Sequence, residues 1–156
     1  MAIAAALMLW TLAALPAVAQ TGPAYVIDGD TIDVAGTRIR LWGMDAPESG
    51  QMCGRLGAIY ACGQEATAHL RALMAGAEVA CQPRVKDRYS RAVAVCRVGL
   101  VDVGAAMVRD GWAFAFVRYS ADYIAEEQEA RLAARGMWAG TFTFPWEWRA
   151  TRKPEL

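Results

Sequence analysis

Neither sign of charge is in excess: sixteen Lys and Arg balance sixteen Asp and Glu across 156 residues. A zero formal net charge excludes an acidic or basic tail protein and a binder that holds nucleic acid by bulk charge, while leaving room for a local basic patch. Histidine is almost absent. His69 stands alone on a predicted helix between Ala68 and Leu70, where a surface or half-buried position is the plain reading. A serine–histidine triad or a histidine nuclease would have to rest on this one ring. No G-x-x-x-x-G-K-[ST] loop occurs to cradle phosphates. The four cysteines include no C-x-x-C pair, which argues against a zinc site. There are no internal repeats, no low-complexity segment and no second long apolar run, so a polytopic membrane protein is excluded.

What is present begins with an uncharged run at 2–19, AIAAALMLWTLAALPAVA, the source of the 56% hydrophobic fraction. It ends in Pro16 and then Ala17-Val18-Ala19, a small-x-small pattern that fits signal peptidase cleavage before Gln20. An uncleaved anchor is the alternative, because a run of this length just spans a bilayer. Both readings export the remaining domain, 20–156, to the periplasm or beyond. About 140 residues bury roughly two-thirds of their unfolded surface, enough for one core.

Period-2 segments at 24–28, 31–34 and 37–42 form a hairpin interrupted by Gly29-Asp30 and turned at Ala35-Gly36. Residues 43–54 read as loop. At 63–75, Ala66, Leu70, Leu73 and Met74 share one helical face, and Gly76 stops it. Segments 77–82 and 92–97 form a second hairpin. Centred between Arg88 and Tyr89, it places Cys81 opposite Cys96, within the Cα separation a disulfide needs. Of three pairings, the local one, Cys53–Cys62 with Cys81–Cys96, is therefore favoured. Asp102 caps a helix over 103–110, and Ser120 caps another over 121–135 with a Glu127–Arg131 pair. The C-terminal tail carries Phe142, Phe144, Trp146 and Trp148, which reads as a docked cover for the core.

Three acids sit in awkward places. Asp30 interrupts a strand, and Asp45 and Glu48 flank Ala46-Pro47, where proline stiffens the loop. If the hairpin brings Asp30 to the end of its second arm, three carboxylates converge, a donor set suited to Ca²⁺. Arg40 lies on the same arm, and Arg84, Lys86, Arg88 and Arg91 crowd the second hairpin's turn. Guanidinium groups beside a metal-carboxylate cluster point to phosphoryl chemistry.

The stretch VIDGDTIDVAGTRIRLWGMDAPE (26–48) resembles the thermonuclease, or staphylococcal nuclease-like, family, whose pattern is D-G-D-T, an Arg, then L-x-x-x-D-x-P-E. DRYSR (87–91) resembles the family's D-x-Y-x-R motif, and the helix at 63–75 and ARLAARGMW (130–138) also fit. The resemblance covers about 24–138. It implies a β-barrel with helices (α+β), namely a five-stranded OB-fold with about three helices. It implies a calcium-dependent endonuclease acting on DNA and/or RNA, monomeric, with no stable protein partner. By motif position, Asp30 and Asp45 would bind Ca²⁺ through their side chains and Ala46 through its carbonyl. Glu48 would be the general base, Arg40 and Arg91 the phosphate grip, and Tyr89 a neighbour of the phosphate pocket. Phe116 and Tyr119 are the candidates for base stacking. The alternative is a non-catalytic OB-fold binding module of the cell envelope, linked to exopolysaccharide biology. Zero net charge favours that module; the intact Glu48, useless to a pure binder, favours the enzyme.

Overall fold

The computed structural model describes residues 19–152. The signal or anchor segment expected at 1–19 lies outside the described residues except for Ala19. Among the described residues no helix is long and apolar enough to cross a membrane.

The first strand, β1 (Gln20–Val26), begins four residues earlier than the sequence pattern suggests, because its two halves serve two neighbours. Its second half pairs with β2 (Thr31–Val34), and its first half, Gln20 to Pro23, pairs with β7 (Glu78–Lys86). The strand β3 (Thr37–Leu41) returns antiparallel to β2 through Ala35 and Gly36, both at positive φ (51° and 80°), the hairpin geometry that matches strand twist. Two-residue β4 (Met44–Asp45) and the start of β5 (Cys53–Arg55) fall in the segment 43–54 expected to be loop, and β5 pairs with β6 (Ala58–Tyr60) just beyond it. Helix α1 (Cys62–Met74) follows, burying Ala66, Leu70 and Met74 against the barrel.

The second hairpin joins β7 to β8 (Ala92–Val98), with a bulge between Pro83 and Val85. Cys81 does face Cys96, Cα atoms 4.0 Å apart, and both expected disulfides are present. Parallel pairing of β3 with β8 (Ile39 to Ala92 through Leu41 to Ala94) closes β1, β2, β3, β7 and β8 into a five-stranded mixed barrel. Inward residues Ile32, Val34, Ile39, Leu41, Val79 and Ala94 fill it.

Short β9 (Val101–Asp102) leads into α2 (Val103–Arg109), where Asp102 caps as expected by accepting from the Ala105 amide at 3.1 Å. After β10 (Phe114–Ala115), which pairs with β4, comes α3 (Ile124–Leu132), shorter than the 121–135 expected. Ser120 accepts from the Asp122 amide at 3.0 Å and so caps a turn ahead of α3 rather than α3 itself. A 3-10 turn (Gly136–Ala139) and a fourth helix, α4 (Pro145–Thr151), correct the expectation of about three helices. Seven residues with four aromatics nearby give no helical period to read. The helix exists because Phe114 anchors the tail: its ring meets Trp138, Phe142 and Phe144 at 5.0–5.5 Å and Trp146 at 6.1 Å.

Candidate active site

The site is assembled where three backbone segments touch. The β1–β2 turn is tight: the Ile27 and Asp28 amides donate to Thr31 O, and Asp28 Oδ1 accepts from the Asp30 amide at 3.1 Å. A Cβ on Gly29 would stand 2.7 Å from the Ala46 Cβ, so only glycine lets this turn rest on the Ala46-Pro47 segment. That contact brings Asp30 to Asp45. Register places Arg40 across from Thr31, beside Asp30. Asp45 sits on β4 opposite Phe114 and is fully buried. The Glu48 backbone is held by Gln51, whose Oε1 accepts from the Glu48 amide at 3.2 Å and whose own amide donates to Glu48 O at 2.8 Å. Gly63, in the first turn of α1, presses directly on the Glu48 carbonyl, leaving no room for a side chain.

Two guanidinium groups organise the carboxylates. Arg40 Nη1 donates to Asp30 Oδ1 at 2.9 Å, while Nη2 reaches Asp30 Oδ2 at 2.9 Å and Asp45 Oδ1 at 2.8 Å. Arg149, from α4, donates through Nη2 to Asp45 Oδ2 at 2.7 Å and through Nη1 to Asp45 Oδ1 at 3.1 Å and Glu48 Oε1 at 2.8 Å. Desolvation pushes the Asp30 carboxyl up to about 7; Asp28 and Asp45 add to the rise, and Arg40 and the Thr31 hydroxyl oppose it. Burial pulls the Arg40 guanidinium down, but Asp30 and Asp45 outweigh burial and leave it more firmly charged. Arg149 is likewise raised, burial being outweighed by its bonds to Asp45 and Glu48.

Asp30, Arg40, Asp45 and Glu48 are thus brought into one bonded cluster. The other expected site residues stand around it. Arg91 bonds Asp87 through Nε at 2.7 Å, and it directly precedes Ala92, which the parallel β3–β8 register sets beside Ile39 on Arg40's strand. Burial lifts the Asp87 carboxyl, but hydrogen bonds from the Arg91 side chain and amide and from the Tyr89 amide, with the Arg91 charge, together outweigh burial and lower it overall. Tyr89 is exposed, with the Arg88 and Arg91 guanidiniums 4.9 and 5.5 Å from its ring centre. Phe116, whose amide donates to Gly43 O, lies 4.9 Å ring to ring from Tyr119 and stacks on Trp146 at 5.9 Å. His69 bonds Asp110 at 2.8 Å and packs near Trp112, a structural position. Arg149 is the participant that sequence reasoning missed. The one available signal was spacing: Trp146 and Arg149 lie three apart after Pro145, a helix-starting residue, and so share a side.

The residues present fit a hard cation. Asp30 and Asp45 meet at one guanidinium nitrogen, so their oxygens already converge on a positive centre. Among the described residues no group of three or more His, Cys, Asp or Glu side chains forms a cage. A shell here would therefore include backbone carbonyls and water, as hard divalent ions accept.

A closed five-stranded barrel with a carboxylate–arginine cluster beside the end of β3 defines an OB-fold protein with a candidate anion- and cation-binding site. The family model described as staphylococcal nuclease homologue matches residues 38–140. A micrococcal nuclease from Shigella flexneri is 34% identical over 146 residues, covering 82% of this chain and 79% of that protein. An uncharacterized endonuclease from Escherichia coli O157:H7 is 35% identical, covering 80% of each. The succinoglycan biosynthesis protein ExoI of Rhizobium meliloti is 39% identical over 124 residues, covering 75% of this chain; the chain spans 63% of that relative's length. The chain belongs to the staphylococcal nuclease-like family, and its enzyme class is that of a thermonuclease-like nuclease.

Proposed function

We propose that the protein is an exported, calcium-dependent endonuclease that hydrolyses phosphodiester bonds of DNA and/or RNA and works as a monomer. The observation that carries this reading is the cluster itself: Asp30 and Asp45 on one guanidinium, with Glu48 tied to Asp45 at its rim. Asp30, Asp45 and the Ala46 carbonyl are the groups that would hold Ca²⁺, which when bound supplies a Lewis acid for the phosphoryl oxygen. Glu48, with 38% of its side chain exposed, can accept a proton from an attacking water. Arg40 and Arg91 face the negative charge that grows on the phosphate in the transition state. Asp87 takes only the Nε–H of the Arg91 side chain, leaving its terminal nitrogens for non-bridging oxygens. Tyr89 flanks that position. Phe116 and Tyr119 offer rings to unstacked bases, where each stacked base is worth about 1–3 kcal/mol. Two disulfides support export, because they persist in oxidising compartments.

The relative named for succinoglycan biosynthesis favours a second reading: a non-catalytic binding module in the envelope, tied to exopolysaccharide biology. Incubation of the purified protein with plasmid DNA and single-stranded RNA, in Ca²⁺ or in chelator, separates the two. The nuclease cuts in Ca²⁺ and stops in chelator, and Zn²⁺ does not replace Ca²⁺. A binding module retards the nucleic acid uncut in both. Undiminished cutting in excess chelator would refute the metal assignment.

A further inference from the structure

Glu48 has a firmly held backbone and a side chain with one partner among the described residues. Gln51 and Gly63 pin the backbone from two sides, and Gln51 is itself anchored to Thr143 O at 2.6 Å. The carboxylate is different. It is part-exposed, and among the described residues its hydrogen-bond partner is Arg149. The same guanidinium grips both oxygens of Asp45. Asp45 cannot move: it is fully buried, paired through β4 to β10, and bonded to Arg40 as well. Arg149 therefore ties a part-exposed carboxylate to a fully buried one. Its planar fork sets the separation and the plane of both groups, which a single point donor does not.

The tail positions the fork. Trp146, one turn ahead of Arg149 on α4, stacks on Phe144 at 4.6 Å and on Phe116 at 5.9 Å. Arg149 and α4 lie beyond residue 140, where the family match ends. The side chain that orients Glu48 thus comes from outside the matched segment. A phosphate clamp is the competing job for an arginine. Three N–H groups of Arg149 are directed at carboxylates, as three of Arg40 are, so it is the effect on substrate affinity that separates a clamp from a positioning role.

We infer that Arg149 is a positioning residue: it holds the Glu48 carboxylate at a set place relative to Asp45, from the C-terminal tail. The inference rests on Glu48 acting as the general base. It predicts that at saturating Ca²⁺, where any effect of its Asp45 contacts on metal affinity is masked, Arg149 acts on rate through Glu48.

The test is a double-mutant cycle of Arg149→Met, which keeps the methylene stem, and Glu48→Gln. Single-turnover cleavage is measured at saturating Ca²⁺, and affinity is measured with an oligonucleotide of non-hydrolysable linkages. Arg149→Met should slow cleavage on the order of 10²-fold, the effect of a misplaced catalytic group, and leave affinity nearly unchanged. Arg149→Lys should recover part of the rate. Once Glu48→Gln is present, adding Arg149→Met should cost nothing further, because residues that act as a unit are non-additive. Fully additive losses, or a loss of affinity that matches the loss of rate, would overturn the positioning role. A silent Glu48→Gln would instead overturn the reading of Glu48, and this inference with it. Circular dichroism and tryptophan fluorescence check that the tail stays docked; if Arg149→Met unfolds, the same cycle is run with Arg149→Lys.

Discussion

Asp30→Asn should make the metal-free protein more stable while it destroys metal binding. The carboxyl is pushed up to about 7 in the folded protein, first by desolvation and then by Asp28 and Asp45, against the pull of Arg40 and Thr31. In the unfolded chain it titrates near 3.9. Between those values the folded protein keeps a proton that the unfolded chain has lost. Asp30 therefore favours folding fully below about pH 4, and that contribution disappears as pH rises to about 7. A displacement of about three units corresponds to a ceiling of roughly 4 kcal/mol. Asparagine keeps an oxygen for the Thr31 hydroxyl and for Arg40 Nη1, and it carries no charge to desolvate. The expected gain in chelator at pH 8 is about 1–4 kcal/mol, or roughly 3–12 °C for a domain of this size. Thermal melts at pH 4, 6 and 8 and fixed ionic strength measure it. The variant should match wild type at pH 4 and pull ahead as pH rises. Ca²⁺ should raise the wild-type melting temperature at pH 8 and leave that of Asp30→Asn in place, since a ligand stabilises only the state it binds. A variant no more stable than wild type at pH 8, or a gap that does not change with pH, would refute the reasoning.

Three further outcomes follow from the same geometry. Reduction should lower the melting temperature, because Cys81–Cys96 closes a loop of 15 residues, worth about 3 kcal/mol in the chain-entropy model; unchanged melts with both bonds verified as open would contradict this. Gly63→Ala drives a Cβ into the Glu48 carbonyl, so it should cost about 1–3 kcal/mol and slow cleavage by shifting Glu48, read by urea titration beside single-turnover rates. Under the proposed role, in which its charge serves the transition state above the ground state, Arg91→Ala should lower the cleavage rate more than it lowers affinity; an equal loss in both would reduce Arg91 to a binding contact.

Much of this molecule is written in short-range pattern. The alternation through 31–41 survives as β2 and β3, because inward residues Ile32, Val34, Ile39 and Leu41 recur at the period of a strand that buries one face. The cysteine hairpin has its expected register for the same reason: opposed positions in an antiparallel pair follow from where the turn falls. The motif at 26–48 places Asp30, Arg40 and Asp45 together because strand pairing and one glycine contact do the work. All of these are local rules acting over a few residues.

The remainder needed distance in sequence. Whether β1 stops at Ala24 or runs back to Gln20 depended on β7, more than fifty residues away, supplying partners for its amides. Barrel closure through parallel β3–β8 pairing leaves no mark on either strand's composition. Phe142, Phe144, Trp146 and Trp148 identified the tail as a cover, yet α4 owes its place to the buried ring of Phe114. Arg149 reads along the chain as one more charge in an aromatic tail. Its partners, Asp45 and Glu48, lie 104 and 101 residues away. Residue type and spacing therefore determined the two hairpins, the disulfides and the acid–arginine core of the site. Packing decided which guanidinium faces Glu48, because a charge in water is indifferent to its neighbours until burial removes the solvent that screens it.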